Sequence, residues 1–148
     1  GTKELSLKSI LAGGAYPHRL GLSETILVFR QHLNFMGGQE GLIQKMAEIK
    51  KTACEKKVIV EVEGFNEAVR IASAGADVIQ FDKARPAELK EWIGKIRETA
   101  PGIILIAAGG INQGNAYEYA KTGIDAIVTT AVYFGKPADI KVVIDKTS

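Results

Sequence analysis

From residue 58 onward the chain alternates between two hydrophobic periods. Short apolar runs rich in β-branched residues, VIVEVEG (58–64), DVIQFD (77–82), IILIAAGG (103–110) and DAIVTT (125–130), predict strands. Between them, NEAVRIASAGA (66–76), RPAELKEWIGKIRETAPG (85–102) and NQGNAYEYAKTG (112–123) place apolar residues at helical spacing. Upstream, LSLKSILAGG (5–14) predicts a helix that ends in glycines, SETILVF (23–29) a strand, and GLIQKMAEIKKTACEKK (41–57) a helix capped with lysines; IKVVID (140–145) predicts a last short strand. Helices of this length between strands imply parallel pairing through right-handed crossovers.

The punctuation agrees with this alternation. Gly75 and Gly123 each follow a helical run and precede a strand, where a left-handed residue is wanted, and Pro86 opens its helix at a position where a missing N–H costs nothing. The fold class is α/β, either a barrel or an open doubly wound sheet. GADV (75–78) and GIDAI (123–127) are two copies of one helix-to-strand joint, and that recurrence favours a β/α barrel over a sheet that reverses direction midway. Six strand candidates are too few for eight-fold closure, so the expected architecture is an incomplete parallel β/α barrel.

Composition narrows the picture further. A chain of 148 residues, 46% hydrophobic, suffices for one packed domain spanning 1–148. The net charge of +2 comes from scattered residues without a basic block, which argues against a nucleic-acid partner. Cys54 has no second cysteine to pair with and no neighbouring histidine for metal ligation, which fits a reducing cytoplasm. No segment is long and apolar enough for a membrane span. The polar start GTKELSLKS lacks an initiator methionine and reads as part of a longer chain.

In a parallel barrel the C-terminal ends of the strands form the functional face. Those ends collect Phe29, Glu61, Glu63, Asp82, Lys83, Ala108 to Gly110, Thr129 and Thr130. The period of two puts Glu61 and Glu63 on one face of their strand, where paired carboxylates are costly unless a cation, a metal or substrate hydroxyls satisfy them. The alternative is a structural ion pair, with Lys83 as the partner. The glycines of GGIN (109–112) allow close backbone approach to an anion, and a helix starting near Asn112 would aim its first amides at a phosphate. TTAVYF (129–134) would be a second loop for the same phosphate; the alternative for the glycine pair is a tight turn. His18 and Arg19, in a glycine-rich loop, suit an anionic substrate if they are more than solvated surface charges. His32 lies just past a strand end, either as a satisfied core histidine or as a ligand contact. Trp92 and Met46 belong to the core.

The segments GGAYPHRLGLSETIL (13–27), VIVEVEGFNEAVRIASAGADVIQFD (58–82) and AAGGINQGNAYEYAKTGIDAIVTT (107–130) together resemble the quinolinate phosphoribosyltransferase (nicotinate-nucleotide pyrophosphorylase) family of type II phosphoribosyltransferases. ILVFRQHLNFMGG (26–38) and VTTAVYFGKPADIKV (128–142) are most similar to its ModD branch, proteins associated with molybdenum transport genes. The resemblance implies an incomplete barrel preceded by a separate N-terminal domain, in a cytoplasmic homodimer whose site is completed by the N-terminal domain of the other subunit. It also implies a pentosyltransferase using phosphoribosyl pyrophosphate with magnesium and a carboxylated, base-like acceptor.

Carried over by position, His18 and Arg19 match substrate-carboxylate binders. Glu63 and Asp82 match acids near the ribose hydroxyls and magnesium, with Glu61 as a further catalytic candidate beside them and Lys83 as a substrate contact. Gly109 and Gly110 match the phosphate loop, and Thr130 and Ala131 fall at the second one. Three departures stand out: Phe29 replaces a lysine, Lys83 replaces an asparagine, and Ala108 replaces a serine. Moving cations around a dianionic ligand argues that quinolinate itself is not the acceptor. A non-catalytic phosphate- or oxyanion-binding module linked to molybdate transport is the alternative, and an isomerase or aldolase barrel ranks third. Taken alone, residues 1–148 are expected to bind phosphate esters weakly and turn over little.

Overall fold

The computed structural model describes residues 2–21, 23–135 and 138–145. Helix α1 (Lys3–Ala12) leads through a long loop into β1 (Ile26–Val28), followed by a single turn α2 (Arg30–Leu33) and α3 (Gly38–Thr52). The regular alternation then runs β2 (Val58–Val62), α4 (Phe65–Ser73), β3 (Val78–Asp82), α5 (Pro86–Thr99), β4 (Ile104–Ala108), α6 (Ala116–Ala120) and β5 (Ala126–Ile127), ending in a 3-10 turn (Ala131–Phe134). The sheet order is β1-β2-β3-β4-β5 and all four pairings are parallel. A doubly wound sheet would reverse its order at a switch point. This one winds in a single direction, as a barrel does.

Both faces of the strands are covered, which is why they read as nearly continuous apolar runs. On the helix side, Val58, Val60, Val62, Ile79, Phe81 and Leu105 pack with Leu42, Met46, Ile71, Leu89 and Ile96 in one core. Most of these side chains are fully buried, each contributing about 1.5–3 kcal/mol of transfer free energy. Trp92 is half-buried against this core, 5.8 Å from the ring of Phe81 and 6.3 Å from that of Phe65. On the opposite face Ile59, Val78 and Ile106 form a second, smaller cluster, with Leu27, Ile104 and Val128 against it.

The repeated joint is more elaborate than its glycine. Gly75 and Gly123 adopt φ of 99° and 84°, the left-handed geometry expected of them. Two residues later, Asp77 accepts the Val58 N–H at 2.8 Å and pairs with Lys50 Nζ at 2.7 Å. Asp125 does the same with the Leu105 N–H at 2.8 Å and Arg97 Nη2 at 2.7 Å. Each aspartate thus ties the start of its own strand to the start of the preceding strand and to a helix cation. Burial pushes the Asp77 carboxyl up, but the hydrogen bonds from Lys50 and Val58 outweigh it and hold the group below the ordinary aspartate range.

Several sequence-based boundaries shift. Residues 140–145 form no strand; Ile140, Val142, Val143 and Ile144 are exposed, and an apolar run that packs against no neighbours has little to hold it as a strand. The strand expected over 125–130 contracts to Ala126–Ile127, and the helix expected over 112–123 to Ala116–Ala120. His32 is not a core residue. It is exposed, and its Nδ1 accepts the Phe29 N–H at 2.9 Å to cap α2.

Candidate functional site

The C-terminal ends of β2, β3 and β4 carry the polar groups, and strand register sets which of them meet. Glu61 lies opposite Gln80, and Asp82 opposite Ala108. Since Val62 and Phe81 face the helices, the alternation turns Glu61, Gln80 and Asp82 to the other face, above the cluster of Ile59, Val78 and Ile106. Glu61 is half-buried and its Oε2 accepts from Gln80 Nε2 at 3.2 Å. Burial raises the Glu61 carboxyl above its ordinary range, and the charges of Asp82 and Glu63 add to that; the Gln80 hydrogen bond and Lys83 oppose it.

Glu63 emerges just beyond β2 and is exposed. Arg30, the first residue of α2, donates through Nη1 to Glu63 Oε1 at 2.9 Å, while the Glu63 N–H donates to Glu67 at 3.1 Å. A cavity of about 210 Å³ opens beside this pair, lined by Arg30, Leu33, Glu61, Glu63 and Glu67. Lys83 is not the partner of Glu61 or Glu63. It adopts a left-handed backbone (φ 58°), donates its N–H to the Ala108 carbonyl at 2.8 Å and pairs with Asp82 at 3.3 Å.

The two glycines after β4 exist for different reasons. A Cβ on Gly109 would sit 2.6 Å from both Asp82 Oδ1 and Lys83 Cγ, so this glycine lets the β4 end pack under the Asp82–Lys83 corner. A Cβ on Gly110 would meet nothing within 4 Å; here φ of 73° leaves bare backbone facing open space. The amides that follow are not free: Asn115 Oδ1 accepts the Asn112 N–H at 2.8 Å and Asn112 Oδ1 the Gly114 N–H at 2.9 Å. Both asparagine side chains also donate to the Gly110 carbonyl. The helix begins only at Ala116, so the expected row of helix-start amides is replaced by a side-chain-capped turn. Tyr119 anchors this unit by donating its hydroxyl to the Ala84 carbonyl at 3.1 Å.

The loop after β5 is joined to the first one by Thr129, whose Oγ1 donates to the Ile111 carbonyl and accepts the Ala131 N–H at 3.0 Å. Thr130 is exposed at the head of the 3-10 turn. Arg19 has φ of 60°, reaches the Thr25 carbonyl through Nη2 at 3.4 Å, and has a buried Nε without a partner among the described residues. It lines a cavity of about 330 Å³ with His18, Ser6, Leu20 and Tyr133, beside the second loop and apart from the strand-end acids. Among the described residues, no three His, Cys, Asp or Glu side chains gather as a metal-binding group.

Gln80 and Arg30 are contributors the sequence reading did not single out, and Tyr133 entered it only as part of the TTAVYF loop. A glutamine inside VIQFD, at a position where both faces are covered, was a usable signal for Gln80. Arg30 and Tyr133 meet their partners through long-range packing that carries no local pattern.

Residues 1–143 match the family model "Quinolinate phosphoribosyl transferase, C-terminal domain". The chain belongs to this family. It is 37% identical over 145 residues to ModD of Pasteurella multocida, named as a pyrophosphorylase, covering 98% of this chain and 51% of that protein. It is 30% identical over 118 residues to the nicotinate-nucleotide pyrophosphorylase [carboxylating] of Rattus norvegicus, covering 80% of this chain and 39% of that one. The crystallised nicotinate-nucleotide pyrophosphorylase of Francisella tularensis superposes with a TM-score of 0.73 at 27% identity, over 84% of this chain and 42% of its own. The chain therefore spans about half the length of the curated relatives it matches, and the Francisella tularensis structure shares its fold over this region.

Proposed function

We propose that the protein transfers a phosphoribosyl group from phosphoribosyl pyrophosphate to a carboxylated, base-like acceptor. The observation that carries this reading is the convergence, on one end of one sheet, of an acidic wall (Glu61, Glu63, Asp82) with an open glycine backbone at Gly110 and a tied second loop at Thr129–Ala131. The pyrophosphorylase names of the relatives support it.

In this reaction the acceptor's ring nitrogen forms a bond to C1 of the ribose while the bond from C1 to the pyrophosphate oxygen breaks. Positive charge grows on the ribose as it does so. In this reading Asp82 and Glu63 hold the ribose hydroxyls and stabilise that charge, and Gly109, Gly110, Thr130 and Ala131 bind the 5′-phosphate. His18 and Arg19 would bind the acceptor's carboxylate, and Lys83 a further anionic group. Glu63 and Asp82, here ion-paired with Arg30 and Lys83, would be the residues to hold a magnesium ion carried mainly by pyrophosphate oxygens and water, and that ion would neutralise the leaving group. Phe29 and Lys83 favour an acceptor other than quinolinate. We further assign a cytoplasmic homodimer with a site completed by the partner, and a role tied to molybdate uptake, on family grounds.

Asp82→Asn in the intact protein should lower pyrophosphate release with pyridine carboxylate acceptors by about 10²-fold, the usual cost of removing one group that stabilises developing charge. Unchanged turnover would take Asp82 out of the mechanism. A non-catalytic phosphate- or oxyanion-binding module is the second reading, favoured by Phe29 in place of a lysine and Ala108 in place of a serine. It predicts phosphate-ester binding without pyrophosphate release.

A further inference from the structure

Two cavities adjoin along α1, and their chemistry differs. The first, of about 330 Å³, is lined by Lys3, Ser6, His18, Arg19 and Tyr133, and among the described residues no Asp or Glu lines it. The second, of about 390 Å³, is walled by Leu5, Ile10, Ala15 and Val132. Ser6 and Tyr133 line both, so the two meet across these side chains as one groove with a basic end and an apolar end. The basic end lacks a counter-charge. Lys3, His18 and Arg19 form no ion pair among the described residues, and Glu24 of the same loop accepts the Leu20 N–H instead. Arg19 is held in a left-handed backbone at φ 60°, a conformation that is uncommon for a long side chain and concentrates at ligand sites. Its guanidinium has a single long contact, Nη2 to the Thr25 carbonyl at 3.4 Å, and its buried Nε has no acceptor. Most of its donors thus have no partner among the described residues. Thr2, Lys3 and Ser6 bring the first turn of α1 to the same end, where the helix dipole adds to the positive field. Such a groove is complementary to a carboxylate at one end and to hydrocarbon at the other.

We propose that this groove takes the acceptor, and that the acceptor is a carboxylated ring with an apolar extension: Lys3 joins His18 and Arg19 on the carboxylate, Tyr133 stacks on the ring, and the extension lies against Leu5, Ile10 and Val132. The assignment rests on the phosphoribosyl-transfer reading and names the substrate class of that same site. Tyr133 belongs to the 3-10 turn that begins at Ala131, so a ring held against it lies next to the loop proposed for the 5′-phosphate. A single-ring dicarboxylate would engage the basic end alone and leave the apolar end in water.

The test is calorimetric titration of the intact protein with quinoline-3-carboxylate, quinoline-3-carboxamide and pyridine-3-carboxylate, and separately with magnesium phosphoribosyl pyrophosphate. The wild type should bind quinoline-3-carboxylate at least about tenfold more tightly than either comparison, since the carboxamide lacks the charge and the pyridine lacks the fused ring. Lys3→Met should weaken quinoline-3-carboxylate by about fivefold or more and leave the carboxamide unchanged, and Lys3→Arg should restore the loss. Tyr133→Ala should weaken both quinolines by about tenfold and keep the preference for the charged one. Both side chains are exposed, so these variants should melt with the wild type. A wild type that binds none of the three probes, favours the single ring or treats acid and amide alike would overturn the assignment, as would affinities indifferent to Lys3 and Tyr133. Failure to bind phosphoribosyl pyrophosphate would instead sink the transferase reading beneath it.

Discussion

Gly109 and Gly110 look equivalent in sequence, but a single methyl group separates their roles. At Gly109 it meets Asp82 and Lys83 at 2.6 Å and must also adopt a φ of 87°; at Gly110 it meets only the backbone strain of a φ of 73°. Gly110→Ala should therefore cost about 1–2 kcal/mol of stability, and Gly109→Ala clearly more, since it adds overpacking to the same strain. Denaturant melts of the two variants check this, and equal losses would contradict it. Glu61 gives a second residue-scale prediction. Its folded-state carboxyl is raised, chiefly by burial, so its contribution to stability is full at low pH and is lost as pH rises through the folded value. Glu61→Gln should accordingly gain stability relative to wild type as pH climbs from below the carboxylate range to neutrality. A difference that stays flat across that interval would show that Glu61 is not desolvated. The turn of Glu61 away from the helix side was legible from the strand period; the end of β2 at Val62, which leaves Glu63 beyond the strand, and the partners of both were not. The left-handed turn at Lys83 takes it to Asp82, and Arg30 reaches Glu63 from an α2 turn that no periodic pattern announces.

At the scale of elements, the joints that begin β3 and β5 carry the registration of the sheet. Asp77 is an acceptor for a strand N–H and a helix lysine at once, and its carboxyl is held below the ordinary range against the pull of burial. A depressed carboxyl stabilises fully above its unfolded value and loses that contribution as pH falls through its folded one. Asp77→Asn should then cost about 1–2 kcal/mol at neutral pH, and the deficit should close in acid. Chemical denaturation at a series of pH values measures both; a deficit that persists unchanged in acid would deny the charge a role. The repetition of GADV and GIDAI revealed this joint from sequence because glycine conformation and strand onset are local. The shortening of α6 was not legible, since it depends on two asparagines that satisfy the Asn112 and Gly114 amides with side chains and so postpone the helix to Ala116.

For the whole molecule, sequential winding of five parallel strands places every candidate group of β2, β3 and β4 at one end of one sheet. That much followed from the alternation of strand and helix patterns. The last expected strand did not form, its apolar residues lying exposed without packing neighbours, and the placement of Arg19 and His18 against Tyr133 rather than the acids depends on how α1 and the 3-10 turn close over the loop. These observations underlie the proposal that the strand-end face holds a phosphoribosyl substrate. Calorimetric titration of the intact protein with magnesium phosphoribosyl pyrophosphate, using inorganic phosphate as control and Gly110→Leu as comparison, tests that most directly. Saturable binding of the phosphoribosyl compound in preference to phosphate, abolished by Gly110→Leu in a variant that still folds, is the expected result. No binding at millimolar ligand, or binding indifferent to Gly110, would mean that the glycine pair is only a turn.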